Sequence, residues 1–134
     1  MYYFAYASNL NKKQMRERAV ESKPMFTATL PNYRLVFSGW SRQWRGGSAT
    51  IIHSRGDKVL GAIYEVSEKD LRHLDSHEDC PRSYGRIDVT VFDEDGNAVE
   101  AVTYIKAGRL EETKPLKEYL AVIQQGYRDW GLFR

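Results

Sequence analysis

The side chains with most chemistry to offer fall in one run, Arg72-His73-Leu74-Asp75-Ser76-His77-Glu78-Asp79-Cys80, and three arrangements can be drawn from it. On a continuous helix His73, His77 and Cys80 stand at i, i+4 and i+7, which would let two nitrogens and a sulfur face one zinc ion. Pro81 implies that such a helix has ended by Cys80, and no matching ligand group occurs elsewhere. A Cys80 nucleophile with His77 as its base is the second arrangement. The end of a helix and the adjacent Glu78 and Asp79 both disfavour a thiolate there. The third is a single carboxylate, Glu78, acting as acid and base in turn. It stands between a helix and a strand, which together can aim a side chain into a cavity. Partial burial and the neighbouring Asp79 would both raise its pKa toward neutrality, as that role requires.

A second stretch offers backbone rather than side chains. Tyr2-Tyr3-Phe4-Ala5-Tyr6-Ala7-Ser8-Asn9-Leu10 begins as an aromatic strand and passes, without a Pro or Gly spacer, into a polar helical pattern at Asn11. Such a junction collects N–H groups pointing one way and suits a carboxylate or a developing oxyanion. A third, Arg42-Gln43-Trp44-Arg45, could stack on a nucleobase, or could be a loop whose Trp folds back on the core.

The elements that must position these groups follow from periodicity. Asn11-Lys12-Lys13-Gln14 has the form of a capping box, flanked by Leu10 and Met15 as a staple. It opens a helix from about residue 12 to 20, which Pro24 keeps from continuing. Tyr33–Phe37, Ser48–Ile52 and Val59–Val66 read as strands, the last two as a hairpin around Ser54-Arg55-Gly56-Asp57-Lys58. Gly61 marks a bulge or a close backbone approach. Ser67 caps a short helix with Leu71 and Leu74 on its apolar face. Strands Tyr84–Phe92 and Val99–Ile105 form a hairpin around Asp93–Asn97. Leu116, Tyr119, Leu120, Ile123 and Tyr127 make a helical stripe with Pro115 in its first turn, and Trp130-Gly131-Leu132-Phe133 closes the chain. About six strands, mostly in hairpins, with three flanking helices predict an α+β fold with a small curved, mixed and barrel-like sheet.

Bulk properties exclude several classes. A chain of 134 residues predicts a single domain spanning 1–134 that buries about two thirds of its unfolded surface. Cys80 is the only cysteine and the first residues have no signal-peptide character, which predicts a cytoplasmic protein. No apolar run approaches the roughly 18 residues of a membrane span. A net charge of +2 arises from 20 basic and 18 acidic side chains, mostly interspersed, so no broad field toward nucleic acid is expected.

Tyr3-Phe4-Ala5-Tyr6-Ala7-Ser8-Asn9-Leu10 resembles the FAYGSNL signature of the γ-glutamylcyclotransferases. Leu74-Asp75-Ser76-His77-Glu78-Asp79, followed by Tyr84 and Arg86, is similar to their LDxxEG…YxR segment, and Trp44-Arg45-Gly46-Gly47-Ser48-Ala49-Thr50-Ile51 to a third family stretch. With Tyr119, Gly126 and Gly131-Leu132, the likeness spans nearly the whole chain. It implies cyclisation of a small γ-glutamyl compound to 5-oxoproline and a free amine or amino acid. The resemblance also implies that Glu78 is the acid/base and that Tyr3, Phe4, Ala5, Tyr6, Ala7, Ser8 and Asn9 bind substrate, mainly through backbone. Tyr119 matches a family tyrosine whose hydroxyl approaches substrate, although it also lies on the apolar stripe. Tyr84 and Arg86 match the motif but could equally be structural, and Tyr104 reads as core. No metal, organic cofactor, nucleic-acid or membrane partner is implied, and either a monomer or a homodimer is compatible.

Two positions depart from the family pattern. Ala7 and Asp79 stand where Gly is usual, so the first loop must avoid positive φ or accept strain. Asp79 must either raise the Glu78 pKa or shift its loop. The alternatives to an enzyme are a non-catalytic binding or interaction module on the same fold, and a nucleic-acid binder using Tyr2, Tyr3 and the Arg42–Arg45 loop.

Overall fold

The opening aromatic run pairs as a strand because both of its faces find apolar partners. In the computed structural model, which describes residues 1–108 and 110–132, β1 (Tyr2–Ala5) lies antiparallel to β3 (Gly46–Glu65) and parallel to β5 (Ala98–Lys106). Together with β2 (Lys23–Ser41) and β4 (Tyr84–Phe92) they close a barrel in the order β1-β3-β2-β4-β5. Phe4, Leu30, Ile51, Ile63, Val91 and Ala101 fill the cluster that all five strands share, and Tyr119 and Ile123 of α3 (Lys117–Trp130) pack into it. On the other face of β1, Tyr3 and Ala5 meet Leu10, Met15, Leu71 and Leu74, so that α1 (Lys12–Arg18) and α2 (Glu68–His77) build a second cluster.

The α+β class, the barrel-like sheet and the three helices agree with expectation. The strand count is five rather than about six, because the expected hairpin around residues 54–58 does not reverse the chain. Ser48–Ile52 and Val59–Val66 fall on one strand, β3, whose last residue is Glu65, and it runs antiparallel to β2 along nearly its whole length. Tyr33 pairs with His53 and Pro31 with Lys58, so the four residues 54–57 form an excursion opposite Asn32. Gly56 donates its N–H to the Asn32 side-chain oxygen at 3.1 Å there. Alternation alone could not separate a turn from a bulge of this size. Pro24 ends no more than a helix here, since residues 23–32 continue as strand.

Gly61 is a close approach. A Cβ at this position would stand 2.3 Å from the Ala5 carbonyl oxygen and 2.6 Å from the Phe4 ring. The α1 cap is only half the expected box. Asn11 Oδ1 accepts from the Gln14 N–H at 3.0 Å, but the Gln14 side chain turns to Ser8 and Asn9 instead of back to Asn11. In contrast, Ser67 and Asp70 complete theirs in both directions. Leu116 precedes α3 as its N-cap and is exposed, leaving Tyr119, Ile123 and Gly126 as the buried face. Phe133 lies outside the described residues.

Candidate active site

The helix end that positions Glu78 is a Schellman motif. Cys80 N–H donates to the Asp75 carbonyl at 2.9 Å and Asp79 N–H to the Ser76 carbonyl at 3.3 Å, with Glu78 at the cap. That geometry requires a left-handed residue after the cap, and Asp79 takes it with φ of 52°. The Gly usual at this position is therefore explained by backbone, and Asp is one of the few other residues that accept it. Asp79 also accepts from the Ser83 hydroxyl at 2.8 Å. We expect Asp79→Gly to change unfolding free energy by less than about 1 kcal/mol, and Asp79→Ala to be about 1 kcal/mol less stable than Asp79→Gly. Urea denaturation of the two variants checks the order, and Ala equal to Gly would refute it.

Glu78 lines a cavity, about 530 Å³ with the open solvent at its mouth included, together with Tyr3, Tyr6, Ala7, Ser8 and Asn9. Burial is the largest influence on its carboxyl and pushes the pKa up to about 7, against the downward pull of Arg18 and Lys106. Asp79 is not among the influences, which corrects the expectation that the neighbouring carboxylate raises it. Lys106 is itself pushed down by burial and held by Ser38, whose hydroxyl it reaches at 3.1 Å.

The opening stretch divides at this cavity. Tyr3, Tyr6, Ala7, Ser8, Asn9 and, from α3, Tyr119 line it, whereas Phe4 and Ala5 do not. Phe4 faces the barrel core and Ala5 the helix cluster, both fully buried. Ala7 has φ of −138° and so needs no left-handed conformation. The junction is a 3-10 turn, Ser8–Leu10, whose first carbonyl bonds come from Leu10 and Asn11 N–H. In such a turn the leading amides have no acceptor within the turn.

Side chains hold that turn from several directions. Asn9 Nδ2 donates to the Tyr3 hydroxyl at 2.9 Å, while Asn9 Oδ1 accepts from Gln14 at 3.0 Å and Arg18 at 3.2 Å. The Tyr6 hydroxyl donates to the Tyr104 carbonyl at 2.7 Å. Tyr119 accepts from the Ala49 N–H at 2.9 Å, leaving its own proton for another acceptor, and its ring stacks on Trp44 with centroids 4.5 Å apart. Burial raises Tyr3, Tyr6, Tyr84 and Tyr119 above the usual tyrosine range, so they are neutral donors rather than phenolates.

Trp44 thus folds back on the core and walls the cavity, which removes the indole from the base-stacking role considered for its loop. Tyr84 bonds the Ala49 carbonyl at 2.6 Å and also lines the cavity, but Arg86 does not. Its guanidinium grips Asp75 with contacts of 2.8 and 2.5 Å, and Asp75 accepts from the Tyr104 hydroxyl at 2.6 Å. Burial would raise the Asp75 carboxyl, but these donors hold it below its usual value. The pair ties α2 to β4. Among the described residues no group of three or more His, Cys, Asp or Glu is placed to hold a metal ion.

Sequence reasoning missed Arg18, Ser48 and Gln43 in the cavity wall. For Arg18 a signal existed, since Gln14 and Arg18 are four apart and so share the α1 face that points at Asn9. Ser48 and Gln43 come from the β2–β3 end, whose approach depends on barrel closure and leaves no local pattern.

The "Gamma-glutamyl cyclotransferase, AIG2-like" family model matches residues 3–129. A bovine protein named γ-glutamylcyclotransferase is 32% identical over 97% of this chain and 71% of its own length. The human protein of the same name is 30% identical with the same coverage. A solved structure named γ-glutamyl cyclotransferase superposes with a TM-score of 0.93 at 29% identity, covering 98% of this chain and 80% of the other.

Proposed function

The chain belongs to the γ-glutamyl cyclotransferase, AIG2-like family and is an enzyme of that type, and we propose that it closes γ-glutamyl compounds to 5-oxoproline with Glu78 as the acid/base. The observation that supports the reading is one cavity joining the Glu78 carboxyl, with a pKa of about 7, to the Tyr6–Asn9 turn.

The reaction breaks one C–N bond and forms another. The substrate's α-ammonium sheds one proton to water to become nucleophilic, and its nitrogen attacks the γ-carbonyl carbon to give a tetrahedral oxyanion. Glu78 takes the proton that the attacking nitrogen must lose and hands it to the leaving nitrogen. Collapse then yields the lactam and a free amine, which picks up a proton from water. A carboxyl near neutral pKa serves both transfers. The Ser8 and Asn9 amides are donors suited to the oxyanion, and the neutral Tyr3 and Tyr119 hydroxyls border the space where the glutamyl chain must curl to bring nitrogen and carbonyl to about 3–3.5 Å.

A wider recess shares Ser41, Gln43, Ser48, His77, Glu78 and Tyr84 with the inner cavity and opens outward past Arg42 and Arg82. It is the space available to the leaving amine. Incubating the protein with γ-glutamyl-L-alanine and following 5-oxoproline and alanine by chromatography tests the reading. Equimolar release of both is expected, and no release from this or other γ-glutamyl amides would overturn it.

A further inference from the structure

Arg18 is the last residue of α1 and is 6% exposed. A guanidinium withdrawn from water this far normally has a carboxylate beside it, because an unpaired buried cation forfeits its hydration without compensation. Among the described residues the ion pair present is Arg86–Asp75, and Arg18 has no carboxylate within 4 Å. Its one described hydrogen bond runs from Nη1 to Asn9 Oδ1. No fully enclosed side-chain nitrogen or oxygen lacks a partner among the described residues. The remaining guanidinium nitrogens are therefore not fully enclosed, and Arg18 is part of the cavity wall.

We propose that Arg18 binds the α-carboxylate of the γ-glutamyl substrate, with Asn9 holding its guanidinium in place. This rests on the γ-glutamyl reading of the site and adds a residue to it. A planar fork of N–H donors matches a carboxylate in two parallel bonds. The α-carboxylate is the one permanent anion of the glutamyl group, and fixing it fixes the α-nitrogen on the next atom. Glu78 is unsuited to be the standing partner of Arg18, since burial keeps its carboxyl half protonated near neutrality. Gln14 supports the arrangement by donating to the same Asn9 oxygen, so that the amide is held from both sides. Lys106, the other cation near Glu78, is engaged by Ser38 and lies outside the inner wall.

The test pairs two substrates with two variants. γ-Glutamyl-L-alanine is compared with the analogue whose glutamyl α-carboxylate is a carboxamide, and alanine release is measured for wild type, Arg18→Gln and Arg18→Lys. Wild type should lose about 100-fold in kcat/KM on the carboxamide, and Arg18→Gln about 100-fold on the carboxylate substrate but less than about 3-fold on the carboxamide. Arg18→Lys, keeping charge without the fork, should fall between the two on the carboxylate substrate alone. An equal loss by Arg18→Gln on both substrates would make Arg18 a mere support for Asn9 and overturn the inference. Equal turnover of both substrates by wild type would overturn it without any variant having to fold. Release by wild type from neither substrate, nor from other γ-glutamyl amides, would instead remove the γ-glutamyl reading, and this inference with it.

Discussion

Replacing Glu78 with Gln is expected to lower kcat for 5-oxoproline release by about 10³-fold and at the same time to make the folded protein more stable above pH 7. Both effects have one cause. Burial raises the Glu78 pKa from 4.5 to about 7, so over that interval the unfolded chain has released a proton that the folded chain still holds. Stability conferred by the protonated carboxyl is complete below pH 4.5 and is lost as the pH rises to 7. A difference of that size corresponds to about 3 kcal/mol, and Gln, which is neutral at every pH, escapes it. Chemical denaturation of wild type and variant at pH 4.5 and pH 8 measures the term. The variant's advantage should be near zero at the lower pH and appear at the higher. Equal stability at pH 8 would mean that the carboxyl is not desolvated, and undiminished turnover would mean that protons move by another route.

The second large effect is expected from a single methyl group. In an exposed helix interior, Gly→Ala gains about 1 kcal/mol from propensity. At Gly126, inside α3, the new Cβ would lie 2.6 Å from Asn11 N and 2.7 Å from both the carbonyl carbon and Cβ of Leu10. Those atoms belong to the two residues that lead out of the Ser8–Leu10 turn, and three further bonds fasten α3 to this segment. Asn11 Nδ2 donates to the Val122 carbonyl at 3.3 Å, Lys12 N–H to Asp129 at 2.9 Å and Trp130 Nε1 to the Leu10 carbonyl at 2.9 Å. Neither side can yield without losing them. Overpacking should therefore outweigh propensity, and Gly126→Ala should cost about 3 kcal/mol. In the protein that remains folded, a shift of the turn by about 1 Å should lower kcat/KM about 100-fold. A variant of wild-type stability and activity would show that the helix–turn contact is looser than its geometry implies.

Much of this site was legible wherever chemistry is written in local sequence. The strand-to-turn passage at Tyr6–Asn9, the cap at Ser67 and the placement of Glu78 beyond α2 each depend on residues within one turn of each other, and each appears where periodicity and capping rules put it. The left-handed backbone beneath Asp79 was legible only as a departure from a Gly, because a φ value cannot be read from an Asp. Phe4 and Ala5 fell away from the cavity for a related reason. A strand buried on both faces has no polar alternation to say which side looks inward. Ser48 and Ala49 reach the site from the β2–β3 end, whose approach depends on closure of the barrel and not on any local pattern. Arg18 was hidden by its charge, since a cation at a helix end is ordinarily solvated.

The pairing of β1 also has a bearing on the growing chain. Tyr3 is adjacent to Tyr64 on one side and to Val102 on the other, so both neighbours of the first strand are synthesised long after it. A nascent chain therefore presents Tyr2–Tyr6 as an unpaired aromatic edge until β5 has emerged, and the contacts from α3 come later still. Contacts of such high sequence separation form slowly and late. The cavity beside β1 cannot close before these late segments are made, and until then the aromatic strand is the segment most in need of protection from aggregation.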